Sequence, residues 1–197
     1  MSQSSYHHGN LREALLERAV EVLGEVGVEG LSLRGLSRDL GVSHGAPARH
    51  FSSKGELLSA IAKEGYRRMT AAALMAAEGK TSAVERLRAM GRASVRWAMR
   101  NRAFYSAIMN PDVNRYGDEG LQASLQDYLA VVRAAFEAAQ AEGWKPKHKL
   151  QALQIFGMAT TIGASIIFSD YLKSNLFGEL NDEKLIDEII DLVIPPL

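Results

Sequence analysis

One glycine restricts this chain more than any apolar stretch does. In Leu33-Arg34-Gly35-Leu36-Ser37-Arg38-Asp39-Leu40-Gly41-Val42-Ser43, Leu33, Leu36 and Leu40 fall at i, i+3 and i+7, on one face of a short helix. Gly41 permits the left-handed backbone of a tight turn, and Val42 fills the angle between two helices. Ser43 is placed to cap the second one. The spacing predicts two short helices, Leu33 to about Leu40 and Ser43 to about Phe51. Such a pair can set its second helix into the major groove of DNA. Helical hairpins with Gly turns and no nucleic-acid role are built the same way, so the motif alone leaves both open.

The rest of the chain also reads as helix, with no strand-like alternation. Asn10-Leu11-Arg12-Glu13 has the form of a capping box, followed by an apolar stripe of Leu11, Ala14, Leu15, Ala19, Val22 and Leu23 that stops at Gly27. Ser53-Lys54-Gly55-Glu56 opens a helix to about Ala77, and Ser82-Ala83-Val84-Glu85 opens another to about Arg102. A short segment from Phe104 to Met109 is closed by Asn110-Pro111, and a loop leads to a helix from about Gly120 to Glu142, stopped by Gly143. Lys149 to Phe177 is apolar nearly all round, and Asn181 caps a last helix, Asp182 to Val193. Nine helices result, three in a small head and six in a body. Ala152 to Phe168 is too short for a membrane span and carries Gln154, Thr160, Thr161 and Ser165, so a buried helix and no membrane partner are expected.

Composition narrows the function classes. The 197 residues hold no cysteine, which excludes disulfides and thiolate metal sites and fits a reducing, cytoplasmic location. The polar start, Met1 to Ser5, lacks the apolar run of a signal peptide. There is no Gly-rich phosphate loop, no His pair at metal-ligand spacing and no Gly-x-Ser-x-Gly elbow, so neither an enzyme, a metal nor a cofactor is expected. Lys plus Arg balance Asp plus Glu at 23 each. That balance argues against indiscriminate nucleic-acid binding and suits a helical small-molecule-binding or interaction module without DNA binding. Between Ser32 and Lys54, however, Arg34, Arg38, Arg49 and Lys54 stand against Asp39 alone.

The following residues decide between these readings. Gly41-Val42-Ser43-His44-Gly45-Ala46, then Arg49-His50-Phe51-Ser52-Ser53-Lys54-Gly55-Glu56-Leu57-Leu58, closely resembles the signature of the TetR (tetracycline-repressor-like) family. The resemblance covers about His8 to Met69. It implies an all-α fold, with a three-helix DNA-binding head containing a helix-turn-helix (residues 1–54). A larger six-helix ligand-binding and dimerisation body would occupy residues 55–197. The function implied is that of a ligand-responsive transcriptional regulator, a repressor in the first instance. It would bind a near-palindromic stretch of double-stranded operator DNA as a homodimer and be released by a small molecule. Two departures stand out: Ala48 replaces an aromatic residue usual in the family, and Pro47 lies inside the reading helix, where it forfeits a backbone hydrogen bond and shifts or tightens the first turn.

On this resemblance the DNA-facing residues are Arg34, Ser43, His44, Gly45, Ala46, Pro47, Arg49, His50 and Lys54. Lys54 opens a helix, where its charge opposes the dipole. A cation there makes sense if it and the free N–H groups hold a phosphate; the alternative is a solvated surface lysine. His44 and Arg49 suit base edges or neighbouring phosphates, Ala46 and Pro47 a thymine methyl, and Arg34 a phosphate or a surface salt bridge. In the body, Met90, Trp97, Tyr105, Met109 and Tyr128 are candidates to wall a site for a largely apolar effector, or else plain core. Arg96 and Arg100 suit either an anionic ligand or a solvated helix face. The last two helices carry more apolar surface than one protomer can bury, which makes them the expected dimer face.

Overall fold

The computed structural model describes residues 11–168 and 182–195. Among them there is no strand. The elements are α1 (Leu11–Gly30), α2 (Leu33–Asp39), a 3-10 turn (Pro47–Arg49), α3 (Lys54–Ala77), α4 (Ala83–Arg100), α5 (Arg102–Ile108), α6 (Pro111–Tyr116), α7 (Glu119–Ala141), α8 (Leu150–Ile166) and α9 (Asp182–Val193). The expected cap Asn10, the end of the Lys149–Phe177 helix beyond residue 168, and the cap Asn181 lie outside the described residues.

Two compact units divide the chain. The first takes residues up to 65 together with 103–122, and the second takes 66–102 and 123–197. In the first, α1 and α2 pack on each other and on the 3-10 turn. Leu15, Leu31, Leu36, Phe51, Leu57 and Ile61 are all at most 1% exposed there and form the core; of the face predicted for α2, Leu36 is buried while Leu33 and Leu40 are half-buried. Gly27 breaks α1 as expected, at a φ of +72°, although helical structure resumes to Gly30.

The stretch between Met109 and Glu119 departs from the expected loop. Asn110-Pro111 begins a helix as well as ending one: the Asn110 side-chain oxygen accepts from the backbone N–H of Asp112 (3.0 Å) and Val113 (3.3 Å), and proline takes the first helical position, whose N–H has no use.

In the second unit α4 is the shared wall, packed on both α8 and α9. One apolar cluster gathers Val84, Leu87, Phe136, Trp144, Leu153, Ile190 and Ile194; another gathers Val95, Ala164, Phe168 and Ile186. The predicted box at Ser82 forms, its Oγ accepting from Glu85 N–H at 3.0 Å. A second cap comes from far along the chain, where the Glu142 carboxylate accepts from Ala83 N–H at 2.6 Å. α7 stops where Gly143 takes φ +99° and its N–H reaches the Gln140 carbonyl.

Arg96 and Arg100 are both engaged in ion pairs, Arg96 largely covered and Arg100 still mostly exposed to solvent. Along α4, Arg88, Arg92, Arg96 and Arg100 recur every four residues and meet Asp191, Asp187 and Glu183 of the antiparallel α9. Arg88 Nε lies 3.1 Å from Asp191 Oδ1, Arg92 Nε 3.0 Å from Asp187 Oδ1, Arg96 Nε 2.6 Å from Glu183 Oε2 and Arg100 Nη2 3.0 Å from Glu183 Oε1. Spacing by four places one residue per turn on a single face, so two such helices pair rung by rung. The Arg96 bonds hold the Glu183 carboxyl below its ordinary range. Burial opposes the charge on Arg96, yet its bonds to Glu183 and Asp187 raise its affinity for the proton.

Candidate nucleic-acid interface and ligand cavity

The turn of the head is built from local hydrogen bonds. Ser32 Oγ accepts from Gly35 N–H at 3.1 Å and starts α2. At its end Gly41 takes φ +65°, with Gly41 N–H to the Arg38 carbonyl (3.2 Å) and Val42 N–H to the Ser37 carbonyl (3.0 Å), the paired bonds of a Schellman ending.

Beyond the turn the expected Ser43–Phe51 helix is replaced. Ser43 offers its carbonyl to Ala46 N–H at 3.0 Å, and the helical part shrinks to the 3-10 turn Pro47–Arg49, with no side-chain cap at Ala46. Pro47 takes a first helical position, where its missing N–H costs nothing, and its fixed φ restarts the coil four residues later than predicted. His50 and Phe51 N–H both close on the Pro47 carbonyl at 2.9 Å.

This geometry sorts the candidates. Arg34, Ser43, His44, Gly45 and Arg49 are exposed, and Ala46, His50 and Lys54 are half-buried. Pro47 is buried, so its expected packing on a thymine methyl is corrected: the ring supports the turn from within. Ser53 Oγ caps α3 by accepting from Glu56 N–H at 3.1 Å. The Glu56 carboxylate reaches back to Ser52, one residue beyond the predicted partner, accepting from its N–H (2.6 Å) and hydroxyl (2.8 Å). The Ser52 N–H, then its hydroxyl, lower the Glu56 pKa. Lys54 is thereby fixed as the first residue of α3. Asp39, the one acid of this stretch, is taken by Arg18 at 3.1 Å and Arg38 at 3.6 Å. Arg34, Arg49 and Lys54 have no carboxylate partner among the described residues.

In the second unit, α3, α4, α7, α8 and the α9 end of the chain enclose an apolar cavity of about 40 Å³. Met90 and Tyr128 line it as expected. Trp97 instead lines a separate polar recess of the same unit, and Tyr105 and Met109 belong to the first unit, outside this cavity. Sequence reasoning missed Ser94, Phe136, Gly157, Thr160, Thr161 and Ile190. The signal was Gly157, a small residue in an otherwise apolar helix, which leaves room for close helix approach. Gly157 does grant such an approach, since a Cβ there would lie 2.5 Å from Phe136 Cζ. No lining side chain is charged. Ser94, Thr160 and Thr161 donate their hydroxyl protons to the carbonyls of Met90 (2.9 Å), Phe156 (2.9 Å) and Met158 (3.1 Å).

Known proteins resemble the chain over much of its length. Residues 15–61 match the family model described as bacterial regulatory proteins, tetR family, and residues 87–165 match the tetracyclin repressor-like C-terminal domain. Between them the two models cover more than half of the chain. Over 52 residues the chain is 46% identical to the tetracycline repressor protein class C of Escherichia coli, a match spanning 24% of that protein. Among solved structures, one of unknown function from Rhodococcus sp. RHA1 is 28% identical with a TM-score of 0.79, covering 97% of both chains. The TetR-family regulator PfmR from Thermus thermophilus superposes at 0.66 (22% identity; 93% of this chain, 98% of that one). AibR in complex with isovaleryl coenzyme A and operator DNA superposes at 0.73 (21% identity; 94% and 99%). At such identities the likeness to the last two is one of fold.

Proposed function

Since the chain belongs to the TetR family of bacterial regulatory proteins, we propose that it represses transcription as a homodimer on a near-palindromic operator and lets go when a small molecule opens its cavity. The observation that carries the DNA reading is the set of cations Arg34, Arg49 and Lys54, in and around the turn of the head (residues 1–54), which have no carboxylate partner among the described residues, while Asp39, the one acid between Ser32 and Lys54, is taken by Arg18 and Arg38. Phosphates supply the missing partners. His44, Ser43, Gly45, Ala46 and His50 then lie in or beside the segment facing the groove.

The cavity favours an uncharged, largely apolar effector. The hydroxyls of Ser94, Thr160 and Thr161 have spent their protons on backbone carbonyls, so they offer acceptors and favour a ligand bearing a hydrogen-bond donor. Because about 40 Å³ holds only a few water molecules, the ligand has to part the helices to enter. Ala73 of α3 lines the cavity and Lys54 opens the same helix, which gives the displacement a covalent route to the head. DNA and effector then weaken each other's binding by the same free energy. Exposed apolar side chains on α8 (Ile155, Phe156, Ile166), at its end (Ile167) and on α9 (Leu192) supply the dimer face.

Selection of binding sites from random duplexes at stated salt tests the reading. Enrichment of an inverted repeat with half-sites about one DNA turn apart is expected. No enriched sequence would instead favour the module without DNA binding that the neutral net charge allows.

A further inference from the structure

Trp144, in the loop between α7 and α8, is only 3% exposed, yet its indole N–H meets no acceptor among the described residues. An indole nitrogen can only donate, and a buried donor without a partner costs stability. The loop nonetheless holds this side chain firmly. Gly143 takes φ +99° before it, and the backbone N–H of Trp144 reaches the Ala139 carbonyl at 3.0 Å. Lys145 after it takes φ +46°, a left-handed backbone that residues with a side chain adopt at a cost. Lys145 Nζ then lies 5.0 Å from the centre of the indole ring and 3.4 Å from the Val193 carbonyl.

The indole is held beside the apolar cavity. Trp144 packs in one cluster with Phe136, Ile190 and Ile194, which all line that cavity, while Trp144 itself does not. Its ring centroid is 6.0 Å from that of Phe136, so the orphaned donor is one side chain removed from the wall. The far edge of the Phe136 ring abuts α8 at Gly157, where a Cβ would lie 2.5 Å from Cζ. Ser94, Thr160 and Thr161 have given their protons to backbone carbonyls, so a carbonyl group entering the cavity finds no donor in them.

We propose that the Trp144 indole N–H anchors a carbonyl oxygen of the effector, a neutral and largely apolar ketone, ester or amide. The inference rests on the reading of this cavity as the effector site. When the helices part to admit the ligand, the Phe136 ring turns aside and the indole joins the wall. The ligand then supplies the acceptor that the described residues do not, so binding relieves a cost the free protein already bears. The Lys145 cation occupies a face of the ring, whereas the N–H lies in the ring plane and stays available.

Acetophenone and α-methylstyrene, in which CH2 replaces the carbonyl oxygen, test this on the full chain. Calorimetry reads their affinities, and magnetic resonance of isotope-labelled protein reads the indole N–H signals. Trp144→Phe identifies the Trp144 signal by its loss while keeping an aromatic ring, and circular dichroism checks its fold. Both probes should saturate one site per chain, acetophenone about tenfold more tightly, as one hydrogen bond would give. The Trp144 signal should move downfield with acetophenone and much less with α-methylstyrene. Trp144→Phe should bind the two about equally. The affinity ratio is measured on the parent, so the test stands even if that variant does not fold. Equal affinities in the parent leave the cavity as an effector site and overturn the anchor. So does a preference for acetophenone that survives in Trp144→Phe, or a Trp144 signal that acetophenone leaves unmoved. Binding of neither probe overturns the anchor and counts against the effector cavity as well.

Discussion

Gly41 and Pro47 shape the turn of the head from opposite ends of the backbone's freedom. At φ +65° Gly41 occupies a region that costs other residues about 1–2 kcal/mol. Gly41→Ala should therefore lower the denaturation free energy by about that much. Gly45→Ala, where φ is not positive and a Cβ meets nothing within 4 Å, should be close to neutral. Equal midpoints for the two variants would remove the strain argument. Lys54→Ala should weaken binding to operator and random DNA alike and lower the slope of log affinity against log salt by about one unit. A filter-binding series in which the slope does not move takes Lys54 out of the interface. Arg34, His44 and Arg49 are exposed, the first on α2 as its place in the motif suggests, the other two on a turn and not on the expected helix. The burial of Pro47 was not legible, because it follows from where the coil restarts, and that was decided by competition between the Ser43 cap and the proline's own preference for a first position.

Helices that start and stop on short-range chemistry were readable from the chain. Ser82, Ser53, Gly27 and Gly143 act within four residues of themselves. α6 was missed because Asn110-Pro111 serves as a stop for one helix and a start for the next, and only the first role was considered. The α4–α9 ladder was beyond reach, since its rungs join residues 83 to 103 positions apart and depend on how two helices meet. Its acids give a pH prediction. Glu183 titrates below its ordinary value when folded, so its stabilisation is complete above the unfolded pKa and disappears as pH falls through the lowered folded one. The thermal midpoint of the parent should exceed that of Glu183→Gln at neutral pH, the gap closing in acid. Molar salt should narrow it as well. A gap independent of pH from neutral to about 3 would show that the ladder does not hold α9 through this carboxylate.

At the scale of the molecule, the proposed homodimer assigns the apolar face of α8 and the tip of α9 to the contact between protomers. Ile155 is 69% exposed and Leu192 is 82% exposed, which is unusual for large apolar side chains unless a partner covers them. Sedimentation equilibrium should report a dimer. Ile155→Glu should weaken it at least about a hundredfold, because a charge would be buried without a counter-ion. A monomer at every concentration, or an Ile155→Glu protein that sediments like the parent, defeats this assignment of the face. The small cavity also has a bearing on time. A space of about 40 Å³, lined in part by Phe136 and Ile190, is too small for an effector until its walls move apart. Association should then follow the frequency with which α9 and α8 breathe apart. The observed rate should level off as effector concentration rises, at a ceiling that is the protein's own opening rate and is the same for every effector that fits.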